Sequence, residues 1–315
     1  CDLATGKVTT IDKAFFFFHG ELQGFRVSWS ADSRWLAYAR DLENRQSAIF
    51  LYDTKTAERH QVTSGFQDDQ EPVFDPDGKY LYFLTGRSFR PAYSDLDNTW
   101  IYANTTNVAA VPLRRDVPSP LAARNDAEGK DDKKDDKPAD DDKAKDKDDK
   151  AADQDKKAEK KKEPPKPVEI HLQGFEERLV LLPPVAGNYD HLEAASGKIL
   201  FRRAPRAGAV PDDKSPLVYY ELDAREEKTV LADADGYELT ADGKKALVWK
   251  KDDYAIVEVK ADQKLEKKLA TKDLELTVDP VAEWRQIFAD AWRFERDYFY
   301  DPNLHGVDWK AMRER

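Results

Sequence analysis

The sequence contains a single cysteine, Cys1, so no disulfide bond can form within the chain. It also lacks a long apolar run, and the four phenylalanines at residues 15–18 are too few to cross a bilayer. The net charge of −11 argues against the basic surface that phosphate backbones require. These absences exclude a disulfide-rich scaffold and argue against a membrane or a nucleic acid as partner.

Several catalytic motifs are missing as well. The sequence has no Gly-x-Ser-x-Gly elbow, no His-Glu-x-x-His and no glycine-rich phosphate loop. None of the histidines lies at metal-ligand spacing from another, and we interpret each as a surface or packed residue: His19, His60, His171, His191 and His305. The residues therefore predict no catalytic, cofactor-binding or metal-binding site in this chain.

One pattern recurs along the sequence: a short strand, a polar turn and a second strand. It occupies residues 25–40, 71–87, 189–203 and 237–251. In the second copy the turn is Asp75-Pro76-Asp77-Gly78, where Pro76 presets φ and Gly78 takes the positive-φ position. Further hairpins are predicted at residues 49–63, 217–231 and 254–270. A spacing of about 45 residues with two hairpins per repeat is typical of a four-stranded propeller blade, and the alternative is an all-β sandwich.

The blades do not fill the sequence evenly. Residues 25–65 form one predicted blade and a second begins near Gln70, but its outer strands are hard to place because an insertion follows residues 109–113. The insertion, residues 126–163, consists mostly of Lys, Asp, Glu and Ala and has no aromatic residue and no Val, Ile, Leu or Met. It can bury almost no apolar surface, so we expect a disordered surface loop.

The start of the chain resembles the end of a blade. Asp2-Leu3-Ala4-Thr5 is similar to the turn that follows Tyr52, so residues 1–11 are predicted to be the last strands of a blade that began earlier in a longer chain. The alternative is that Cys1 is the lipidated first residue of a mature lipoprotein.

The composition changes at Asp279, which is predicted to cap a helix that has Pro280 in its first turn. Apolar residues, many of them aromatic, then recur at helical spacing from Trp284 to Phe299, and Asp308 is predicted to cap a second helix. We therefore predict a mainly β fold with two parts: a partial β-propeller of four-stranded blades at residues 1–278, and the start of an α-helical domain at residues 279–315.

Two charged clusters could bind ligands. The first could bind a cation or a substrate amine: Asp68, Asp69 and Glu71. The second could bind a carboxylate, because guanidinium groups match its geometry: Arg202, Arg203 and Arg206. For both clusters we favour the simpler interpretation, a solvated loop before a strand and a solvated group at a strand end.

The helical segment resembles the opening of the helical part of tricorn-type serine peptidases. The similar motifs there are Glu283-Trp284, Ala291-Trp292-Arg293, residues 296–301 and residues 306–309. Weaker similarity lies upstream, at residues 104–107, 118–120, 167–170, 182–183 and 187–189. The resemblance covers nearly the whole chain, although the blade motifs alone also resemble TolB-type propellers.

The resemblance implies a second propeller followed by a helical domain, then PDZ and protease domains that lie beyond Arg315. It implies a serine peptidase that degrades oligopeptides, with this chain as propeller scaffold and substrate access. His305 precedes Asp308-Trp309 and does not match the family's catalytic histidine, so no catalytic role is assigned here. The implied partners are peptide substrates, the PDZ and protease domains of the same chain, and further copies in a homo-oligomer.

Two other functions stay open. A non-enzymatic TolB-type binding propeller fits the blade motifs but gives no reason for residues 284–309. A prolyl-oligopeptidase-type enzyme also joins a propeller to a peptidase, but it would need a Gly-x-Ser-x-Gly elbow. The resemblance favours a cytoplasmic location, with the periplasm as the alternative.

Overall fold

The computed structural model describes residues 3–13, 26–88, 90–95, 97–124, 166–205, 213–271 and 274–314, and of residues 183–185 only the backbone. The chain divides into two compact units, Cys1–Leu269 and Ala270–Arg315. The first unit is built of antiparallel β-sheets and the second of helices, so the predicted mainly β fold is confirmed.

Blade 1 is a complete four-stranded sheet. Its strands are hydrogen-bonded in chain order: β1 (Val27–Trp29), β2 (Trp35–Asp41), β3 (Ser47–Asp53) and β4 (Glu58–Gln61). The turn between β1 and β2 is closed by Ser33 N–H donating to the Ser30 carbonyl. This is the hairpin that the first copy of the repeat predicts.

Blades 2 and 3 share one long strand. The chain continues with β5 (Asp69–Phe74), β6 (Tyr80–Thr85), β7 (Ala92–Ser94), β8 (Thr99–Ile101), β9 (Thr106–Pro112), β10 (Val180–Ala195), β11 (Lys198–Ala204), β12 (Leu217–Glu221) and β13 (Glu226–Leu231). The start of β10 pairs with β9 and completes blade 2, which also contains β5 and β6. The end of β10 pairs with β11 and opens blade 3, which continues through β12 and β13. The small hairpin β7–β8 forms a separate two-stranded sheet.

Blade 4 contains β14 (Gly236–Leu239), β15 (Lys245–Lys250) and β16 (Asp253–Glu258). A single bridge between Ala255 and Lys268 occupies the place of a fourth strand. The positive φ predicted for Gly78 is confirmed at 69°, and the turns of blades 3 and 4 have the same conformation at Gly197 (70°) and Gly243 (65°).

The hydrophobic cores lie between neighbouring blades. Successive residues of a strand point to opposite faces, so a strand in the middle of a blade contributes to two cores. All six residues of β6 are buried: Leu81 and Phe83 face a core shared with blade 1, whereas Tyr80 and Tyr82 face a core shared with blade 3. The middle strands are therefore continuous apolar runs rather than the alternating pattern of a half-exposed sheet.

The segment that follows the insertion is held on blades 1 and 2 without joining a strand. Val168 N–H donates to Asp32 Oδ2 (2.7 Å), and the indole N–H of Trp35 donates to the Val168 carbonyl (3.1 Å). The guanidinium of Arg178 then donates to the carbonyls of Pro112 (3.0 Å) and His171 (2.6 Å). This segment positions the start of β10 beside β9.

The second unit contains α1 (Pro280–Tyr298) and α2 (Trp309–Glu314). Asp279 caps α1 as predicted, because its Oδ1 accepts from the N–H groups of Val281 (3.0 Å) and Ala282 (3.3 Å). Asp308 likewise accepts from Ala311 N–H (3.0 Å) at the start of α2. The aromatic residues along α1 are largely exposed within this unit, with Trp284 at 65% and Tyr298 at 69%.

Two predictions concern the start of the chain and the charged insertion. The strands predicted for residues 1–11 are wrong for the described residues 3–13, which contain a turn at residues 3–5 and no strand, because no other described segment pairs with them. The insertion at residues 126–163 lies outside the described residues. Among the described helices, none is long and apolar enough to cross a membrane.

Candidate functional site

The first strands of successive blades contact one another: β1 with β5, β5 with β10, and β10 with β14. Two of these strands carry a bulge at the same place. In β5 the pairing register shifts between Gln70 and Val73, and in β10 it shifts between Asp190 and Glu193. The extra residues, Glu71 and His191, have φ of 49° and 62° although neither is glycine. Such a strained backbone often marks a functional position, and it re-aims the side chains around it.

A hydrogen bond joins each first strand to the next. Ser28 Oγ accepts from Phe74 N–H (3.0 Å), Glu71 Oε2 accepts from Leu192 N–H (2.7 Å), and Glu193 Oε2 accepts from Leu239 N–H (2.9 Å). In every case a side chain of one blade accepts from the backbone of the next. We call these contacts the inter-blade clasps.

Ionisable and polar side chains gather around the clasps. We call this group the first-strand rim: Arg26, Glu71, His191, Glu193, Tyr237 and Glu238. Arg26 Nη2 donates to His191 Nε2, and Tyr237 Oη donates to the His191 carbonyl. Burial, together with the positive charge of Arg26, lowers the pKa of His191 to about 4. The imidazole is therefore neutral at pH 7 and can accept the hydrogen bond from Arg26.

The carboxylates of the rim are shifted in the other direction. Burial raises the pKa of Glu193 to about 7; the charge of Glu238 adds to this rise, and the clasp to Leu239 opposes it. Burial also raises the pKa of Glu71, and the clasp to Leu192 opposes that rise. Glu71, Glu193 and Glu238 line a cleft of ≈ 330 Å³ together with Arg26 and neighbouring apolar residues. A ligand that enters the cleft can therefore contact carboxyl groups as well as a guanidinium.

The acidic candidates from the sequence do not form one site. Asp69 is fully buried and binds Thr85 Oγ1 (2.5 Å) and Arg87 Nη2 (3.3 Å), whereas Asp68 accepts from Ser47 N–H (3.1 Å). Glu71 is turned toward Leu192 and belongs to the rim. The interpretation as a solvated loop is also wrong, because Asp69 and Glu71 lie within β5, which packs against β1 and β10.

The arginine candidates are already paired. Arg202 donates to both carboxylate oxygens of Asp190 (2.8 and 2.7 Å) and also to the Asp235 carbonyl, so it ties blade 3 to blade 4. Arg203 donates to Glu227 Oε2 (2.5 Å). The interpretation as a solvated group at a strand end is wrong for both, because Asp190 on β10 and Glu227 on β13 supply a carboxylate to Arg202 and Arg203. Arg206 lies outside the described residues.

The histidines are separated from one another in the part of the chain that the structure describes. His171 accepts from Arg115 N–H (3.1 Å), His305 contacts Tyr300 Oη (2.5 Å), and only His191 joins the rim. His19 lies outside the described residues. No group of three or more His, Cys, Asp or Glu residues among those described could hold a metal ion.

One feature of the sequence indicates the rim, namely the regular spacing between the two residues of a clasp. Ser28 and Phe74 are 46 residues apart, and so are Glu193 and Leu239. The spacing of the clasps therefore equals the spacing of the blades. A side chain with an acceptor oxygen 46 residues before the first strand of a blade is a candidate for such a contact, and this criterion identifies Glu193. Arg26, Tyr237 and Glu238 carry no comparable local motif.

Comparison with known proteins gives two family matches. The family described as "Tricorn protease second beta propeller domain" matches residues 1–260, and the one described as "Tricorn protease C1 domain" matches residues 280–315. The solved crystal structure of the tricorn protease superposes on the whole chain with a TM-score of 0.70 at 21% identity and is covered over 28% of its length, which establishes the fold.

Curated relatives extend beyond this chain. "Tricorn protease homolog 1" of Streptomyces coelicolor is 26% identical over 99% of this chain and 28% of its own length. "Tricorn protease" of Thermoplasma volcanium is 23% identical over 95% of this chain and 26% of its own length. The chain thus spans between 21% and 30% of the first curated relatives that it matches. Since the propeller family matches most of the sequence, the chain belongs to the family of tricorn protease second β-propeller domains.

Proposed function

We propose that this chain is the propeller scaffold and peptide entrance of a tricorn-like serine peptidase that degrades oligopeptides. The observation that carries the proposal is the order of the two family matches, the second propeller directly followed by the C1 domain. Two relatives that align with 95% or more of this chain are named tricorn protease or tricorn protease homolog. In this proposal the propeller occupies residues 1–278, and residues 279–315 begin the helical domain ahead of PDZ and protease domains.

The first-strand rim supports a role in peptide entry. Propeller blades surround a central channel, and here the first strands of successive blades contact one another. The cleft in the rim presents Glu238 beside Arg26, so it can interact with both charged ends of a short peptide. Charged groups of both signs suit a passage for peptides of many different sequences better than a binding site for a single sequence.

The chemistry would take place outside residues 1–315. A serine nucleophile would attack the peptide carbonyl, a histidine would move the proton, and backbone N–H groups would stabilise the oxyanion. We propose a cytoplasmic homo-oligomer, with the periplasm as the alternative location. The side chains of this chain would bind and direct the peptide before the acyl transfer.

Peptidase assays of the full-length protein and of this chain test the proposal. Short fluorogenic peptides should be cleaved only by the full-length protein, and a serine-reactive phosphonate should abolish cleavage. If the full-length protein binds peptides but never cleaves them, the propeller is a binding module and the peptidase proposal is wrong.

A pair of charge reversals tests the entrance. Glu238→Lys in the rim should lower kcat/KM for peptides with a basic N-terminal half more than for acidic ones. Glu266→Lys is the matched control, because Glu266 is exposed and its carboxylate lies 3.7 Å from the ammonium group of the equally exposed Lys264. Equal effects of the two substitutions would show that the rim does not meet the peptide.

A further inference from the structure

The three inter-blade clasps have the same geometry but different chemistry. Ser28 holds Phe74 with a hydroxyl group, which does not ionise in the ordinary pH range. Glu193 holds Leu239 with a carboxyl group, which does. The clasp between blades 3 and 4 can therefore respond to pH, whereas the clasp between blades 1 and 2 cannot.

The surroundings of Glu193 favour its neutral form. It is inserted between blades, and Glu238, the residue directly before its partner Leu239, brings a second negative charge. Arg26 is the opposing positive charge, but it also donates to His191. The ionisable groups that surround Glu193 are Arg26 ahead of β1, Glu71 on β5, Asp190 and His191 on β10, Arg202 on β11, and Tyr237 and Glu238 on β14. Of these, the charge of Glu238 raises the pKa of Glu193 and that of Arg26 lowers it.

We propose that Glu193 is a proton-operated clasp, which holds the first strands of blades 3 and 4 together when it is protonated and releases Leu239 more readily when it is ionised. One carboxyl oxygen can accept from Leu239 N–H in either state, so the bond itself survives ionisation. What changes is the cost of keeping the group buried beside Glu238. The proposal does not depend on the peptidase activity.

The direction and size of the effect follow from linkage. Closed, Glu193 has a pKa of about 7; opened into water, it would return toward its ordinary value of 4.5. A pKa that is raised in the closed state stabilises that state fully below pH 4.5, and this stabilisation is lost as the pH rises through about 7. Between pH 5 and pH 8 these two values change the closed-to-open ratio by about 70-fold.

Hydrogen exchange of single amides measures this ratio. The protection of Leu239 N–H, corrected for the intrinsic pH dependence of exchange, should fall by about 70-fold from pH 5 to pH 8. Phe74 N–H, which is held by Ser28, is the internal control and should not follow this change. In Glu193→Gln, which keeps an oxygen acceptor but cannot ionise, the protection of Leu239 should be independent of pH.

Two results would overturn the proposal: constant protection of Leu239 in the unchanged protein, or the same pH dependence in Glu193→Gln. If the variant does not fold, a carbon-13 NMR titration of the Glu193 carboxyl group in the unchanged protein decides. A midpoint near 7 supports the clasp, and a midpoint near 4.5 excludes it.

Discussion

Trp35 is the residue whose substitution tests how the segment after the insertion is held. Its indole N–H donates to the Val168 carbonyl (3.1 Å), and its side chain is 4% exposed in the core between blades 1 and 2. Trp35→Phe keeps an aromatic ring in that core but removes the donor. The Val168 carbonyl would lose its partner inside the protein.

Leaving a buried acceptor unsatisfied costs about 1–3 kcal/mol. The loss should be local, since Val168 N–H keeps its bond to Asp32 Oδ2 (2.7 Å) and His171 N–H keeps its bond to the Leu113 carbonyl (2.8 Å). We therefore expect residues 166–172 to open about 5- to 150-fold more often, while β2 itself changes little.

The assay is hydrogen exchange of the Val168 and His171 amides, compared between the unchanged protein and Trp35→Phe. Trp29→Phe is the control, because Trp29 lies in the same blade but is 52% exposed. If exchange at Val168 is unchanged, or if all of blade 1 accelerates equally, the indole does not hold this segment and the reasoning is wrong.

Two further predictions concern other contacts. Hydrogen bonds from Arg34 lower the pKa of Asp53, so this pair stabilises the protein above pH 3.8, and the contribution is lost as the pH falls through the folded-state pKa. Asp53→Asn should therefore make the urea midpoint of unfolding less dependent on pH at acid pH, and an unchanged pH dependence would contradict this. In the helical unit, the indole N–H groups of Trp292 and Trp309 each donate to the backbone carbonyl of the other residue (2.9 and 3.0 Å). Trp292→Phe should therefore lower the protection of Ala311 N–H from hydrogen exchange by about 1 kcal/mol, whereas Trp284→Phe, at an exposed position, should have no measurable effect.

The sequence predicted those parts of the fold whose cause is local. Turns with Gly78, Gly197 and Gly243 need a positive φ that glycine adopts without strain, so composition alone places them. The cap at Asp279 follows from the same kind of short-range chemistry. These signals span a few residues and do not depend on the rest of the chain.

The parts that the sequence did not predict depend on distant partners. A strand at residues 178–182 can be predicted from the sequence, but its place as the last strand of blade 2 follows from pairing with β9 across the insertion, as in the pair Val180 and Ala110. Neither Glu71 nor His191 is a glycine, so nothing in the local sequence indicates their positive φ. Burial of Asp69 follows from partners on other segments, Thr85 and Arg87, that no local pattern links to it.

The two flanks of residues 125–165 are held on the blades by separate contacts. Before them, Arg225 Nη2 donates to the Ala122 carbonyl (2.5 Å) and Arg124 Nη2 to the Leu222 carbonyl (3.4 Å), which fixes the chain against the β12–β13 turn. After them, Asp32 and Trp35 fix Val168 on blade 1. Because each flank has its own partners, the pairing of β9 with β10 does not require contacts from the residues between them. The Trp35 substitution should therefore loosen the flank at residues 166–172 and leave the flank at residues 122–124 unchanged.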